Sequence, residues 1–129
     1  MKDFYELYQK KLGSAQDAVA RIPRTANISF GLGPSNPPAL LAGLAERVDS
    51  GGVDEIHLYY QIAKDGARPL FKTKYLDRLH FHPNFMSDLD RALIQEAGTS
   101  SVIDFMPCYL WQLPRAYSEF YLIDVLVTT

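Results

Sequence analysis

The sequence predicts an α/β domain: a mostly parallel open sheet with flanking helices on both sides. Three observations predict it. Segments of helical and of strand period alternate along most of the chain. A loop rich in glycine and proline joins the first β-prone run to an amphipathic helix. The closing run Leu122–Val127 is apolar except for Asp124, the mark of a strand buried on both faces.

The elements follow in order. Phe4, Leu7, Tyr8 and Lys11 lie at helical spacing, so Asp3–Leu12 predicts a short amphipathic helix stopped by Gly13. Ser14 stands where an N-cap belongs, with Asp17 at the third position of a capping box, ahead of a helix over Ala15–Ile22 closed by Pro23. Ile28–Gly31 is β-prone. Leu40, Leu41, Leu44 and Val48 then share a helix face that Gly51 and Gly52 terminate. Glu55–Gln61 predicts a strand with Ile56, Leu58 and Tyr60 on one face. A loop is expected over Ile62–Tyr75, a short strand over Leu79–His82, and a helix capped by Ser87 running to Ala97. Val102–Met106 predicts a strand broken by Pro107, and Tyr109–Tyr117 a helix kinked or begun by Pro114.

With 129 residues, 47% of them hydrophobic, the chain suits one domain with a proper core. The net charge of −2 and the scattered basic residues give no footprint for nucleic acid or an anionic membrane. No apolar run approaches the roughly 18 residues of a spanning helix, and the charged start is no signal peptide. Cys108 is the single cysteine, which fits a reducing compartment, so a soluble cytoplasmic protein is expected. Because the chain stops on its most apolar strand, residues 1–129 are expected to be a domain truncated at its C-terminal end.

The segment from Ile28 to Leu41 carries the most chemistry. Gly31 and Gly33 let the backbone turn and let a ligand approach the amides. Ligands of open α/β sheets bind beyond the carboxyl ends of the strands, where this loop lies. A dinucleotide fingerprint fails, because its third glycine falls at Asn36. Pro37 and Pro38 also remove the amides that would meet a diphosphate. What remains is a small nest of amides suited to one carbonyl or carboxylate oxygen. A tight strand-to-helix turn without any ligand explains the same spacing equally well.

SAQDAVARIP, SFGLG-x-S-x-PPALL, IHLYY, HPNF, VIDFMPCYLWQLPRAY and DVLVTT occur in this order from Leu12 to the last residue. The ordered set resembles the beginning of the acetyl-CoA hydrolase/transferase family, and within it 4-hydroxybutyrate and bacterial itaconate-type CoA-transferases. The resemblance implies a CoA-transferase-like fold, the first half of a two-domain enzyme whose active site lies between two similar α/β halves. It implies coenzyme A as a substrate, an acyl-CoA and a small carboxylic acid as partners, no metal, and a glutamate nucleophile in the other half. No catalytic residue is therefore expected in this chain. The partner for the exposed last strand would be the missing half or another copy. By position, Gly31, Leu32, Gly33, Ser35 and Asn36 inherit the role of facing the acyl group. Pro34 and Asn36 depart from the aliphatic and glutamine-like residues the resemblance leads one to expect there. Tyr60, Met106 and Pro107, at or near strand ends, are expected to line an acyl or pantetheine groove, although core packing explains aromatics in strands as well.

Other candidates are weaker. His80 and His82 share a strand face, but no third metal ligand is legible in the sequence, so ordinary loop or interface histidines are expected. His57 sits mid-strand. Cys108 ends a strand, yet nothing in sequence supplies an activating base, which makes an inert thiol the expectation. Glu46, Glu55, Glu96 and Glu119 lack the glycine-rich surroundings of a thioester nucleophile. Two other classes remain: a non-catalytic acyl/CoA-binding or interaction module of the same fold, and a sugar-phosphate isomerase, which Pro37 and Pro38 disfavour.

Overall fold

The computed structural model describes residues 4–128. Four parallel strands form one sheet in the order β3-β2-β1-β4: β1 Thr25–Phe30, β2 Glu55–Tyr60, β3 Leu79–Pro83 and β4 Val125–Val127. The helices are α1 Phe4–Lys11, α2 Ala15–Ala20, α3 Pro38–Asp49 and α4 Asp88–Ala97. The chain adopts the predicted α/β class, and the sheet, expected to be mostly parallel, is parallel at every strand pair among the described residues. Asp3, where the first helix was expected to begin, lies outside the described residues.

Strand alternation builds the core on one face only. Ile28 and Phe30 of β1, Ile56, Leu58 and Tyr60 of β2, and Leu79 and Phe81 of β3 are fully buried. They meet Val19 of α2, Leu41, Leu44 and Val48 of α3, and Leu89 and Leu93 of α4 in one apolar cluster. Helices flank both faces, as expected, but unequally. α2, α3 and α4 share the apolar face, and the other face carries Asn27, Ser29, His57, Tyr59, His80 and His82. A helical segment over Leu110–Phe120, changing from 3-10 to α to π pitch, covers only part of it. Pro114 sits in the first turn of the α portion, where its missing N–H costs nothing.

The predicted capping box at Ser14 forms, and the predicted cap at Ser87 proves to be a capping box as well. Ser14 and Asp17 exchange hydrogen bonds on the surface, while Ser87 and Asp90 do so in the interior. Asp90 is fully buried and also accepts the Tyr60 hydroxyl, so one carboxyl group caps α4 and ties it to β2. Burial, with Asp90 beside it, holds the Tyr60 phenol well above its ordinary pKa.

Two expected strands differ. In Val102–Met106, Val102 ends a 3-10 turn that spans Ser100–Val102, and Ile103 then makes one bridge, to Phe81. The amides of Asp104 and Met106 bond to the carbonyls of Phe81 and Pro83, but Pro83 has no N–H to return, so the ladder stops. β4 is a three-residue edge strand rather than one buried on both faces. Val125 and Val127 pack on the core and Leu126 is 65% exposed. Leu122, at φ 48°, turns the chain into it, and Asn27 holds that turn by donating to the carbonyls of Tyr121 and Leu122. Ile62–Tyr75, expected as loop, contains 3-10 turns at Asp65–Leu70 and Thr73–Tyr75.

The buried capping box sets a stability test. Asp90→Ala removes three hydrogen bonds and strands the Tyr60 hydroxyl, so urea unfolding should show a loss of about 2–4 kcal/mol. Asp17→Ala, at the exposed box, should cost clearly less. Equal losses would mean that the Asp90 network does not hold α4 to the sheet.

Candidate functional site

The chain runs from β1 outward to β2 and β3, then returns to place β4 on the other side of β1. Strand order therefore reverses between β1 and β4. In an open parallel sheet, the crevice beyond the carboxyl ends at such a point is where ligands bind. The glycine loop leaves β1 there.

Gly31 passes directly under the Ser35 carbonyl: a Cβ on Gly31 would stand 2.3 Å from that oxygen. Gly33 opens a 3-10 turn at φ +47°. Asn36 is buried beneath the loop, its side-chain amide donating to the Gly31 carbonyl and its Oδ1 accepting the Lys64 amide at 2.8 Å. The amides of Gly31, Gly33, Ser35 and Asn36 donate to Val127, Ile62, Leu32 and Gly33 carbonyls. The expected nest of open amides is thus largely consumed in holding the loop. What the loop presents outward is the backbone of Gly31 and the exposed side chains of Leu32 and Ser35.

Beside the loop, on the open face, the Tyr117 hydroxyl accepts from Ser29 Oγ at 3.0 Å and from the Gln61 amide. With both lone pairs taken, its own proton is free to be donated outward. Five rings continue across the face. His80, His57, His82, Tyr59 and Tyr121 stack in succession at centroid distances of 4.6, 5.1, 4.5 and 4.7 Å. His82 is the buried histidine, with Nε2 2.9 Å from His57 Nδ1 and Nδ1 3.6 Å from the Asp104 carboxylate. Burial, reinforced by His57, lowers its pKa to about 4.

The HPNF and VIDFMP segments meet through Asn84, whose side-chain amide donates to the Met106 carbonyl at 2.6 Å. Two adjoining grooves lie over this join. One, of 840 Å³, is lined by Phe85, Pro107, Cys108, Tyr109, Leu110 and Trp111. The second, of 460 Å³, takes in Met106, Cys108, Trp111, Arg115, Phe120 and Tyr121. The walls are apolar and exposed, Trp111 by 77% and Tyr109 by 70%.

The sequence-selected residues therefore fall into separate places. Gly31, Leu32, Gly33 and Ser35 stand together at the crevice, with Asn36 beneath them as the clamp. Met106 and Pro107 lie in the grooves. Tyr60 does not join them, because it lies on the helix-covered face against Phe30 and Asp90. Cys108 neighbours the Tyr121 hydroxyl. Glu96 accepts from Thr73, and Glu119 pairs with Arg115, both on the surface. Ser29, Gln61 and Tyr117 were missed. The signal available for the first two was their position at the carboxyl ends of strands; Tyr117 had none, since its reach follows from the π-pitched turn.

The geometry defines the protein as a parallel α/β domain of the CoA-transferase-like fold, with its crevice at the β1/β4 reversal. It is similar over 98% of its length to RipA from Yersinia pestis, at 29% identity and a TM-score of 0.89, and it spans 30% of that chain. Two RipA structures with single substitutions give TM-scores of 0.90 and 0.91 at the same identity and coverage. No protein-family profile and no curated protein matches the sequence. Among the described residues, no helix is long and apolar enough to cross a membrane.

The loop geometry separates its two glycines. Gly31→Ala drives a methyl into backbone and should cost about 1–3 kcal/mol while displacing the loop. Gly33→Ala has space, with Ile62 Cγ2 at 3.6 Å, and should cost only about 1–2 kcal/mol for its left-handed backbone. Denaturant unfolding, with amide shifts of Asn36 and Lys64 as local reporters, checks this. An undisturbed Asn36 in Gly31→Ala would remove the close pass as a constraint.

Proposed function

We propose that this chain is the first part of a CoA-transferase that moves coenzyme A between acetyl-CoA and a short hydroxy or dicarboxylic acid of the 4-hydroxybutyrate type. The observation that carries the reading is the RipA likeness over nearly the whole chain, combined with the motif resemblance that centres on the loop at the strand-order reversal.

In this reading the nucleophile is a glutamate outside these 129 residues. Its carboxylate attacks the thioester carbonyl of acetyl-CoA and expels CoA thiolate, leaving a mixed anhydride. The thiolate attacks the glutamyl carbonyl, releases acetate and forms a glutamyl–CoA thioester. The acceptor carboxylate then repeats both steps in reverse and leaves as its CoA ester. Gly31, Leu32 and Ser35 shape the side of the pocket that meets the acyl group. The Tyr117 hydroxyl is positioned to donate toward an oxygen there, and Met106 and Pro107 belong to a groove for the pantetheine arm. The partner is the remainder of a longer enzyme or a second chain supplying the glutamate. Coenzyme A enters as substrate, and no metal takes part in the transfer.

A second reading, a non-catalytic acyl-binding or interaction module, draws on the exposed aromatic grooves alone. The two separate cleanly. Incubated with acetyl-CoA and 4-hydroxybutyrate, the purified 129-residue chain should show no sustained CoA exchange. Adding a glutamate-bearing partner segment should produce exchange, which Tyr117→Phe should slow by roughly 10–1,000-fold with folding intact. Sustained turnover by the chain alone would place the nucleophile within it. CoA binding without exchange in any combination would favour the module.

A further inference from the structure

We propose that Glu55, His57 and His80 form a binding site for a zinc-type divalent cation that clips β2 to β3 on the open face of the sheet. This is distinct from the proposed transfer chemistry. Glu55 lies opposite Thr25 at the start of β1, whereas the glycine loop leaves the other end.

The first support is the spacing of ligand atoms. Glu55 Oε1 is 3.5 Å from His57 Nε2 and 3.4 Å from His80 Nε2. A tetrahedral zinc centre with ligand distances of about 2.1 Å has edges of about 3.4 Å. Two of the three edges already have that length. One ligand atom from each of the three residues lies within 4.8 Å of the other two, so a shift of about 1.4 Å or less brings such a set to tetrahedral spacing. The His57 and His80 rings are stacked 4.6 Å apart and inclined by 23°, and turning the half-exposed His80 ring supplies the change.

The second support is the far nitrogen of His57. Its Nδ1 faces His82 Nε2 at 2.9 Å, and His82 is held in place by stacking on His57 and Tyr59. When His57 donates that proton, its Nε2 presents a lone pair to the Glu55 oxygen. Ligating histidines characteristically donate their other ring N–H in this way. With His80 in its Nδ1–H tautomer, a carboxylate and two imidazole lone pairs converge, and a dication fits between them. Two histidines and one glutamate are a ligand set zinc accepts, with water in the fourth position. The partial exposure of all three side chains leaves that position open to solvent.

The backbone preorganises the set. His57 and His80 are register partners on adjacent strands, and Glu55 lies two residues before His57, hence on the same face. This revises the sequence-level expectation, which considered His80 with His82 and found no third ligand. His82 is instead the orienting residue, and the third ligand is the glutamate that begins β2.

The test uses the purified chain, stripped with EDTA and titrated with zinc chloride against a chromophoric competitor. One equivalent should bind, the melting temperature should rise with zinc concentration, and the ring signals of His57 and His80 should shift together. Cys108→Ser should bind as tightly as the parent, which excludes the thiol as the ligand. His82→Gln should weaken binding by roughly 10–100-fold, and His57→Ala, His80→Ala and Glu55→Gln by more. His80→Ala removes the more exposed histidine and decides the matter should His57→Ala fail to fold by circular dichroism. Absence of stoichiometric uptake, uptake that survives in folded His80→Ala and Glu55→Gln, or loss in Cys108→Ser would each overturn the site.

Discussion

Ile56, Leu58 and Tyr60 leave β2 on one side and Glu55, His57 and Tyr59 on the other, and the neighbouring strands repeat the division. Parallel sheets are ordinarily buried on both faces and read as continuous apolar runs. Here the two-residue alternation confines the core to one side, where α2, α3 and α4 lie, and leaves a face of histidines, tyrosines and amides on the other. That constraint decides what the helical segment at 110–120 can do. It brings the Tyr117 hydroxyl to a polar surface instead of aliphatic side chains to a core.

The crevice follows from the same sheet. β4 returns beside β1, so the Gly31 amide reaches the Val127 carbonyl and the glycine loop is pinned from both sides. Asn36 closes it from beneath and links it to the exit of β2 through Lys64. A loop whose amides and clamp are committed this way is rigid, and its value to a ligand lies in shape more than in hydrogen bonding. The Ser29–Gln61–Tyr117 cluster next to it adds the polar group that the loop itself lacks.

Much of the architecture was legible because its causes are local. Helix caps at Ser14 and Ser87, the period-2 runs of β2 and β3, and the proline start of α3 are written in short windows, and each formed. What was illegible depends on partners far away in sequence. Val102–Met106 has strand composition, yet Pro83 on the facing strand denies it a ladder. Leu122–Val127 looks doubly buried, but Asp124 accepts the Asn27 amide and fixes an edge position with Leu126 outward. Tyr60 was taken for a groove wall because it ends a strand; the side it faces is set by Ile56 and Leu58, a parity the sequence did contain. Glu55 lacks the glycine-rich surroundings of a nucleophile, and its place at the start of β2 is what sets it beside His57 and His80.

The histidine face and the aromatic rim differ in kind, and the difference bears on the proposed chemistry. The histidine face is polar and ties its rings together through stacking and the His57–His82 hydrogen bond, leaving His82 Nδ1 as the only buried side-chain nitrogen or oxygen without a hydrogen-bond partner among the described residues. The rim of Phe85, Tyr109, Leu110, Trp111 and Phe120 is apolar, and contiguous patches of that sort mark surfaces that bind something. A mixed anhydride formed at the glycine loop would stand open to water along this rim, because the walls are shallow and their side chains largely exposed. Transfer of CoA to a second acid requires that water be kept out while the carboxylate is admitted. In the proposed enzyme the glutamate-bearing partner therefore has a second task besides supplying the nucleophile. It must cover the aromatic rim, and how completely it does so would set the balance between transfer and hydrolysis.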